Sequence, residues 1–309
     1  MRSAPQALGS LLVGLVVTAG AADSGVFTQR GPLGQVFRAG VELVQVTATV
    51  RDLDGRLIGD LERDDFEIFD DGGPQSITQF ERGRVPLSLG IVLDVSESMY
   101  GQRMDDARFA LRRFLVDLLE PSDEAFLIVF NHDAELEAPW TVGPATLEGR
   151  LGDVRPYGAT AIYDAMTMAL PLFETRSHQR AALVLISDGS DTASDARVRD
   201  VQQQIRRSDA FVYAVGIDAV ESRPINDRVS PQTLREITDE SGGYIEVIHD
   251  SPDLTPATER IAEELNHQYT LGYTPNRPPD GGYHSIRVRV KNADYRVRAR
   301  RGYVASTGR

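Results

Sequence analysis

Four uninterrupted apolar runs punctuate the middle of the chain: LSLGIVLDV, EAFLIVFN, RAALVLISDG and AFVYAVGID. Runs this apolar suit strands buried on both faces, as in a parallel sheet. Stretches of helical spacing separate them: MDDARFALRRFLVDLLE, AIYDAMTMALPLFETR, SDARVRDVQQQIRRSD and SPQTLREITDESGG. YIEVI and a closing helix, DLTPATERIAEELNHQ, complete the series. In the first helix Phe109, Phe114, Val116 and Leu118 are expected at apolar positions. Strands alternating with helices predict an α/β fold with a doubly wound, mostly parallel sheet.

The flanks follow a different period. VELVQVTATV alternates, with Val44, Val46, Ala48 and Val50 on one face, as a half-buried strand does. DDFEIFDDGGPQSITQF reads as a strand pair reversing at Asp71-Gly72-Gly73-Pro74. Asp52 and Asp54 sit in a hairpin turn, since the later ligands of a calcium loop are missing. Beyond Tyr269, SIRVRVKN and YRVRARRGYV alternate again. Arg287, Arg289 and Lys291 should share a solvated face, as should Arg296, Arg298 and Arg300. Neither flank is large enough for its own core, so the two are expected to pack as a small β-sandwich around the inserted α/β zone. The boundaries expected are 1–22 for a signal peptide, 23–40 for a linker, and 41–84 for the first β segment. The α/β domain follows at 85–268 and the second β segment at 269–309.

Composition excludes several functions. A net charge of -13 argues against nucleic acid as the main partner, because phosphate recognition needs a basic surface. No cysteine is present, so thiol chemistry and cysteine zinc sites are excluded. The start, MRSAPQALGSLLVGLVVTAGAADSG, has a basic residue, a short apolar stretch and a small-residue site near Ala21 or Ala22. This predicts secretion, or a periplasmic or cell-envelope location, with no stable membrane span in the mature chain.

In an open α/β sheet, ligands bind outside the carboxyl ends of the strands. Here the first apolar strand delivers Asp94, Ser96 and Ser98. The loop YGATAIYDAM places Thr160 just before a helix, and AALVLISDGSDT delivers Asp188. Two carboxylates and three hydroxyls are hard oxygen donors that suit Mg2+ or Mn2+. A phosphotransferase with an aspartyl nucleophile would want a second acid where Ser96 stands. No phosphate-binding loop, zinc-protease motif or Gly-x-Ser-x-Gly elbow occurs, so an enzyme is not expected, and a hydrolase is the weakest reading.

The order Asp94-x-Ser96-x-Ser98, then Thr160 in GATAIYDA, then Asp188 in ISDG resembles the von Willebrand factor type A domain and its metal-ion-dependent adhesion site. The flanks resemble bacterial secreted proteins of that kind known from Acidobacteria. The resemblance implies that Asp94 and Asp188 hold Mg2+ or Mn2+. Ser96, Ser98 and Thr160 complete the shell, and Gly158 lets the loop approach. It also implies a protein partner that presents an Asp or Glu carboxylate to the ion. Neutral hydroxyls leave the ion's charge unspent for that carboxylate. Tyr100, Tyr157, Tyr163, Ser190, Asp191 and Thr192 would form the surrounding contact rim. The alternative is a structural or assembly component of the cell envelope with a vestigial or stabilising metal site. By family analogy, the closing helix 253–268 could couple the site to the sandwich.

Overall fold

The computed structural model describes residues 28–30, 36–38, 43–152, 154–188, 190–217 and 231–306. The segment 1–22 read as a signal peptide lies outside the described residues. Within the expected linker, β1 (Thr28–Arg30) pairs antiparallel with β2 (Val36–Arg38). This hairpin belongs to a unit separate from the body that begins at Glu42.

The body opens with β3 (Val44–Arg51), β4 (Phe66–Asp70), β5 (Gly73–Gln75) and β6 (Gln79–Arg82). The α/β zone follows: β7 (Leu87–Asp94), α1 (Gln102–Arg113), β8 (Glu124–Phe130), β9 (Ala134–Val142), α2 (Glu148–Leu151), α3 (Ile162–Ala169), β10 (Arg180–Ser187), α4 (Val198–Arg207), β11 (Phe211–Ile217), α5 (Pro231–Thr238), β12 (Ile245–Ile248) and α6 (Leu254–Asn266). The chain then returns through β13 (Tyr269–Tyr273), β14 (Tyr283–Val290), β15 (Arg296–Ala299) and β16 (Gly302–Val304).

The central sheet has the order β12-β11-β10-β7-β8-β9. Every pairing in it is parallel except that of β9 with β8. All eight residues of β7 are buried, which is why the strand reads as unbroken apolar sequence. Its residues still alternate. Leu89, Ile91 and Leu93 pack with Met104, Ala107 and Leu111 of α1 and with Ile261 and Leu265 of α6. Val92 faces the other layer, with Ile162 and Met166 of α3 and Ile205 of α4. Gly90 lies on that second face because Phe126 fills the space: a Cβ there would be 2.4 Å from the Phe126 Cζ.

The flanking segments form two four-stranded antiparallel sheets, β15-β3-β13-β6 and β16-β14-β4-β5. Each mixes strands from both ends of the body, so neither end completes a sheet alone. Val44, Val46, Ala48, Val50, Phe66, Ile68, Leu271, Tyr273 and Ile286 share one apolar core between them. This is the sandwich expected around an inserted α/β zone. Among the described residues, no helix is long and apolar enough to cross a membrane.

Two expectations need correction, and one strand was not anticipated. Phe109 and Val116 are exposed; α1 instead buries Met104, Ala107, Ala110 and Leu111, and Phe114 follows in a π-turn. The buried face combines the small Ala107 and Ala110 with Met104 and Leu111, and Phe109 lies off it. Strand β9, AELEAPWTV, carries no regular apolar period because it is an edge strand with only Ala138 buried. Arg298 and Arg300 do not line a solvated face. Arg298 reaches the fully buried Glu264 of α6, and Arg300 bonds Asp209 and the Gln45 carbonyl.

Candidate metal centre

Strand order reverses between β7 and β10, and both strands end at the same edge of the sheet. Asp94 closes β7, and Asp188 directly follows β10. Both carboxylates are buried, at 0% and 2% exposure, as are Ser96 and Thr160. The Ser96 N–H donates to Asp94 Oδ1 at 2.8 Å, and the Ser187 hydroxyl donates to Oδ2 at 2.5 Å. Ser96 Oγ and Ser98 Oγ lie 2.9 Å apart, and Ser98 Oγ donates to Asp188 Oδ1 at 2.6 Å. Four of the five expected residues are therefore linked by direct contacts.

Thr160 arrives on a separate loop bonded to the other two. The Glu97 N–H donates to the Gly158 carbonyl at 3.0 Å. The Thr160 carbonyl accepts from the N–H groups of Thr192 and Ala193 at 2.8 and 3.0 Å, while its own N–H donates to Thr192 Oγ1 at 3.1 Å. Gly158 has φ +78°, a conformation that favours glycine, and a Cβ there would also push against the exposed His132 ring, 2.5 Å from its Nδ1.

Further residues tie these loops together. Asp164 in the first turn of α3 accepts from the N–H groups of Asp195 and Ala196 at 3.0 and 2.9 Å. Asp191 Oδ1 accepts from the Tyr163 N–H at 3.3 Å and from Ser194 Oγ at 2.6 Å. Asp191 and Thr192 thus point their oxygens into the loop scaffold. Tyr100 and Tyr157 are exposed, at 79% and 59%, whereas Tyr163 packs partly against the core and Ser190 is half-buried. Asp164, Ser187, Ser194 and Arg103 were not singled out in the sequence. Asp164 could have been found as an acid in the first turn of a helix; the others carry no local signal.

The electrostatics fit a hard divalent cation. Burial, and then the neighbouring Asp188 carboxylate, push Asp94 from an ordinary 3.8 up to about 6, against the opposing bonds from Ser187 and Ser96. Two buried acids that repel each other amid hydroxyl oxygens form a donor set that a Mg2+-like ion would relieve. A pH dependence follows for the protein in EDTA. The folded state holds the Asp94 proton more tightly than the unfolded chain does. As pH rises from 3.8 to about 6, stability from this group should therefore fall, then stay level. The loss is on the order of 3 kcal/mol. Urea melts at pH 5 and pH 7.5 check this: the difference between wild type and Asp94→Asn should narrow at the lower pH. An unchanged difference would contradict it.

A second group of acids and a histidine lies in the sandwich, where Asp70, Asp71 and His284 place ligand atoms within 4.8 Å of one another. Arg277 bonds both carboxylates, and Tyr273 and Tyr303 donate to Asp70. His284 Nδ1 and Nε2 each lie 2.9 Å from a carboxylate, Asp71 and Asp280 respectively. With Arg277 already paired to both carboxylates, this group is an ion-paired tie between β4, β14 and the preceding loop, not a cation site.

Residues 89–190 match the family model of the von Willebrand factor type A domain. The inter-alpha-trypsin inhibitor heavy chain H4 of Homo sapiens is 26% identical over 232 residues, covering 68% of this chain and 24% of that protein. Heavy chain H2 of Mus musculus is 22% identical over 200 residues, covering 59% and 20%. The chain spans about a quarter or less of the length of these curated relatives. Among solved structures, von Willebrand factor type A from Catenulispora acidiphila matches with a TM-score of 0.52 at 14% identity, covering 83% of this chain and 72% of that one. The PilB minor pilin from Streptococcus sanguinis matches at 0.50 and 15%, covering 60% and 62%. The vWF domain of the type V pili tip protein Mfa5 from Porphyromonas gingivalis matches at 0.50 and 13%, covering 59% and 95%. At these identities the structural likenesses concern the fold.

Proposed function

We propose that this von Willebrand factor type A domain is a secreted or envelope-associated adhesion module that captures an acidic side chain of a partner protein through a divalent cation. The observation that carries the reading is the convergence of Asp94, Ser96, Ser98 and Asp188 at the switch point, with Thr160 on a loop bonded to theirs. Asp94 and Asp188 would hold Mg2+ or Mn2+, with the three hydroxyls completing the shell. When bound, the ion supplies a Lewis-acidic position for one carboxylate of the partner. The protein's own part is to keep two acids and three hydroxyls converged while leaving the ion a net charge. One contact of this kind gives little specificity, and the exposed Tyr100 and Tyr157 are suited to the rim around it.

Calorimetry with Mg2+ and Mn2+, followed by capture of partners from an envelope fraction in Mg2+ or in EDTA, tests the reading. Heat on cation addition and a protein retained only in Mg2+ are the expected results. A cation that raises the melting temperature while nothing is retained would favour a structural envelope component instead.

A further inference from the structure

We infer that Arg103 is a tethered cation of the metal centre: it neutralises the paired acids when no divalent ion is present and competes with that ion for them. The inference rests on the metal reading above and concerns what regulates occupancy.

The geometry is specific. Arg103 Nη1 donates to Asp188 Oδ2 at 3.1 Å and to the Ser98 carbonyl at 2.8 Å. Ser98 Oγ holds the other oxygen of Asp188. One guanidinium thus bridges the first and third motifs. The Asp188 side chain is fully buried, whereas Arg103 keeps 22% of its side chain exposed, so it can swing away without burying its own charge. Its position argues that the contact matters. Arg103 is the second residue of α1, and the first turn of a helix disfavours a cation because the macrodipole is positive there. Asp188 offsets that unfavourable placement.

The physical consequence is a trade. Without a cation, two buried acids at one strand edge would repel across a low-dielectric gap. Arg103 removes much of that cost. It also places a positive charge beside the seat of the ion, which weakens the ion's hold. Occupancy would then respond to changes in cation concentration instead of saturating permanently.

The experiment uses wild type, Arg103→Met and Arg103→Lys. Thermal melts are run in EDTA, with calorimetric Mn2+ titration at pH 7.5. Arg103→Met should melt about 5 °C lower in EDTA yet bind Mn2+ about tenfold more tightly, a rise in affinity that a merely structural role would not produce. Arg103→Lys should keep most of both wild-type properties. In an Asp188→Asn background, Arg103→Met should cost little in EDTA, because its partner charge is gone. Equal losses in both backgrounds would overturn the inference, as would unchanged or weaker Mn2+ binding by Arg103→Met. The EDTA cycle needs no metal. If it shows coupling while neither wild type nor Arg103→Met binds Mn2+, the metal reading itself fails and takes the competition with it.

Discussion

Asp94→Asn should abolish measurable Mg2+ and Mn2+ binding, a loss of at least about a hundredfold, while raising the melting temperature of the protein in EDTA at pH 7.5. The two effects have one cause. Asp94 is 0% exposed and is held ionised at neutral pH only against burial and the field of Asp188. Asparagine preserves the shape. Its carbonyl can accept from the Ser96 N–H, as Asp94 Oδ1 does now. Removing one of two buried like charges relieves repulsion in the ion-free site. It also removes half the formal charge available to a cation, and a hard divalent ion binds by charge. Wild type and variant should therefore cross over: the variant melts higher in EDTA, and wild type melts higher in saturating Mg2+. Partner capture should fail for the variant in both conditions. Partner binding by Asp94→Asn equal to that of wild type in Mg2+ would sink the adhesion reading, because the fold would be intact and the cation unnecessary. A variant that melts lower in EDTA would show instead that Asp94 serves the fold through its hydrogen bonds.

The α/β architecture was legible because burial on both faces leaves a strand no choice but apolar residues, and β7, β8, β10 and β11 all obey. The candidate site was legible for a related reason. Asp94 and Asp188 stand where apolar runs stop, so the sequence itself marks the sheet edge. What stayed hidden depends on contacts between distant segments. Strand β9 has one buried residue, and its identity as a strand comes from pairing with β8. In the helix α1 segment the burial of Phe114 and the partial burial of Leu118 were legible, but Phe109 and Val116 were not placed correctly because bulk was read as burial, whereas the small Ala107 and Ala110 belong to the core. Arg103 lies 85 residues from Asp188, and no local pattern announces their contact. The arginines of β15 alternate as a solvated strand would, and only the fold shows that an acid waits beneath Arg298.

That acid carries the largest expected effect on stability. Glu264→Ala should destabilise the body by about 2–4 kcal/mol, because the carboxylate is buried while the arginines that pair with it, Arg51 and Arg298, keep 31% and 30% of their side chains exposed. The Glu264 side chain is fully buried on α6. Its carboxylate accepts from Arg51 Nη2 at 2.8 Å, Thr49 Oγ1 at 3.3 Å, Tyr213 Oη at 3.0 Å and the Arg298 guanidinium. Gln268 Nε2 donates to Tyr213 Oη at 3.0 Å, and Arg180 Nη2 donates to Gln268 Oε1 at 3.1 Å. Arg180 also reaches the carbonyl of Val85, so the network spans the points where the chain enters and leaves the α/β zone. Truncation would leave the Thr49 and Tyr213 hydroxyls without their acceptor and return two partly exposed guanidinium groups to water, Arg51 keeping its bond to the Gly55 carbonyl. Glu264→Gln keeps the volume but not the charge, and should lose roughly half as much. Replacing Arg51, Glu264 and Arg298 together with Met, Leu and Met should recover much of the loss, since no charge is then left unpaired. Urea melts followed by both far-UV and tyrosine signals would measure this. A loss below about 1 kcal/mol for Glu264→Ala would show the network to be incidental. The form of the melt matters too. A hub joining β3, β15, β11 and α6 should make sandwich and α/β zone unfold together in wild type. If the truncated protein melts in two separated steps, Glu264 is what makes them one cooperative unit.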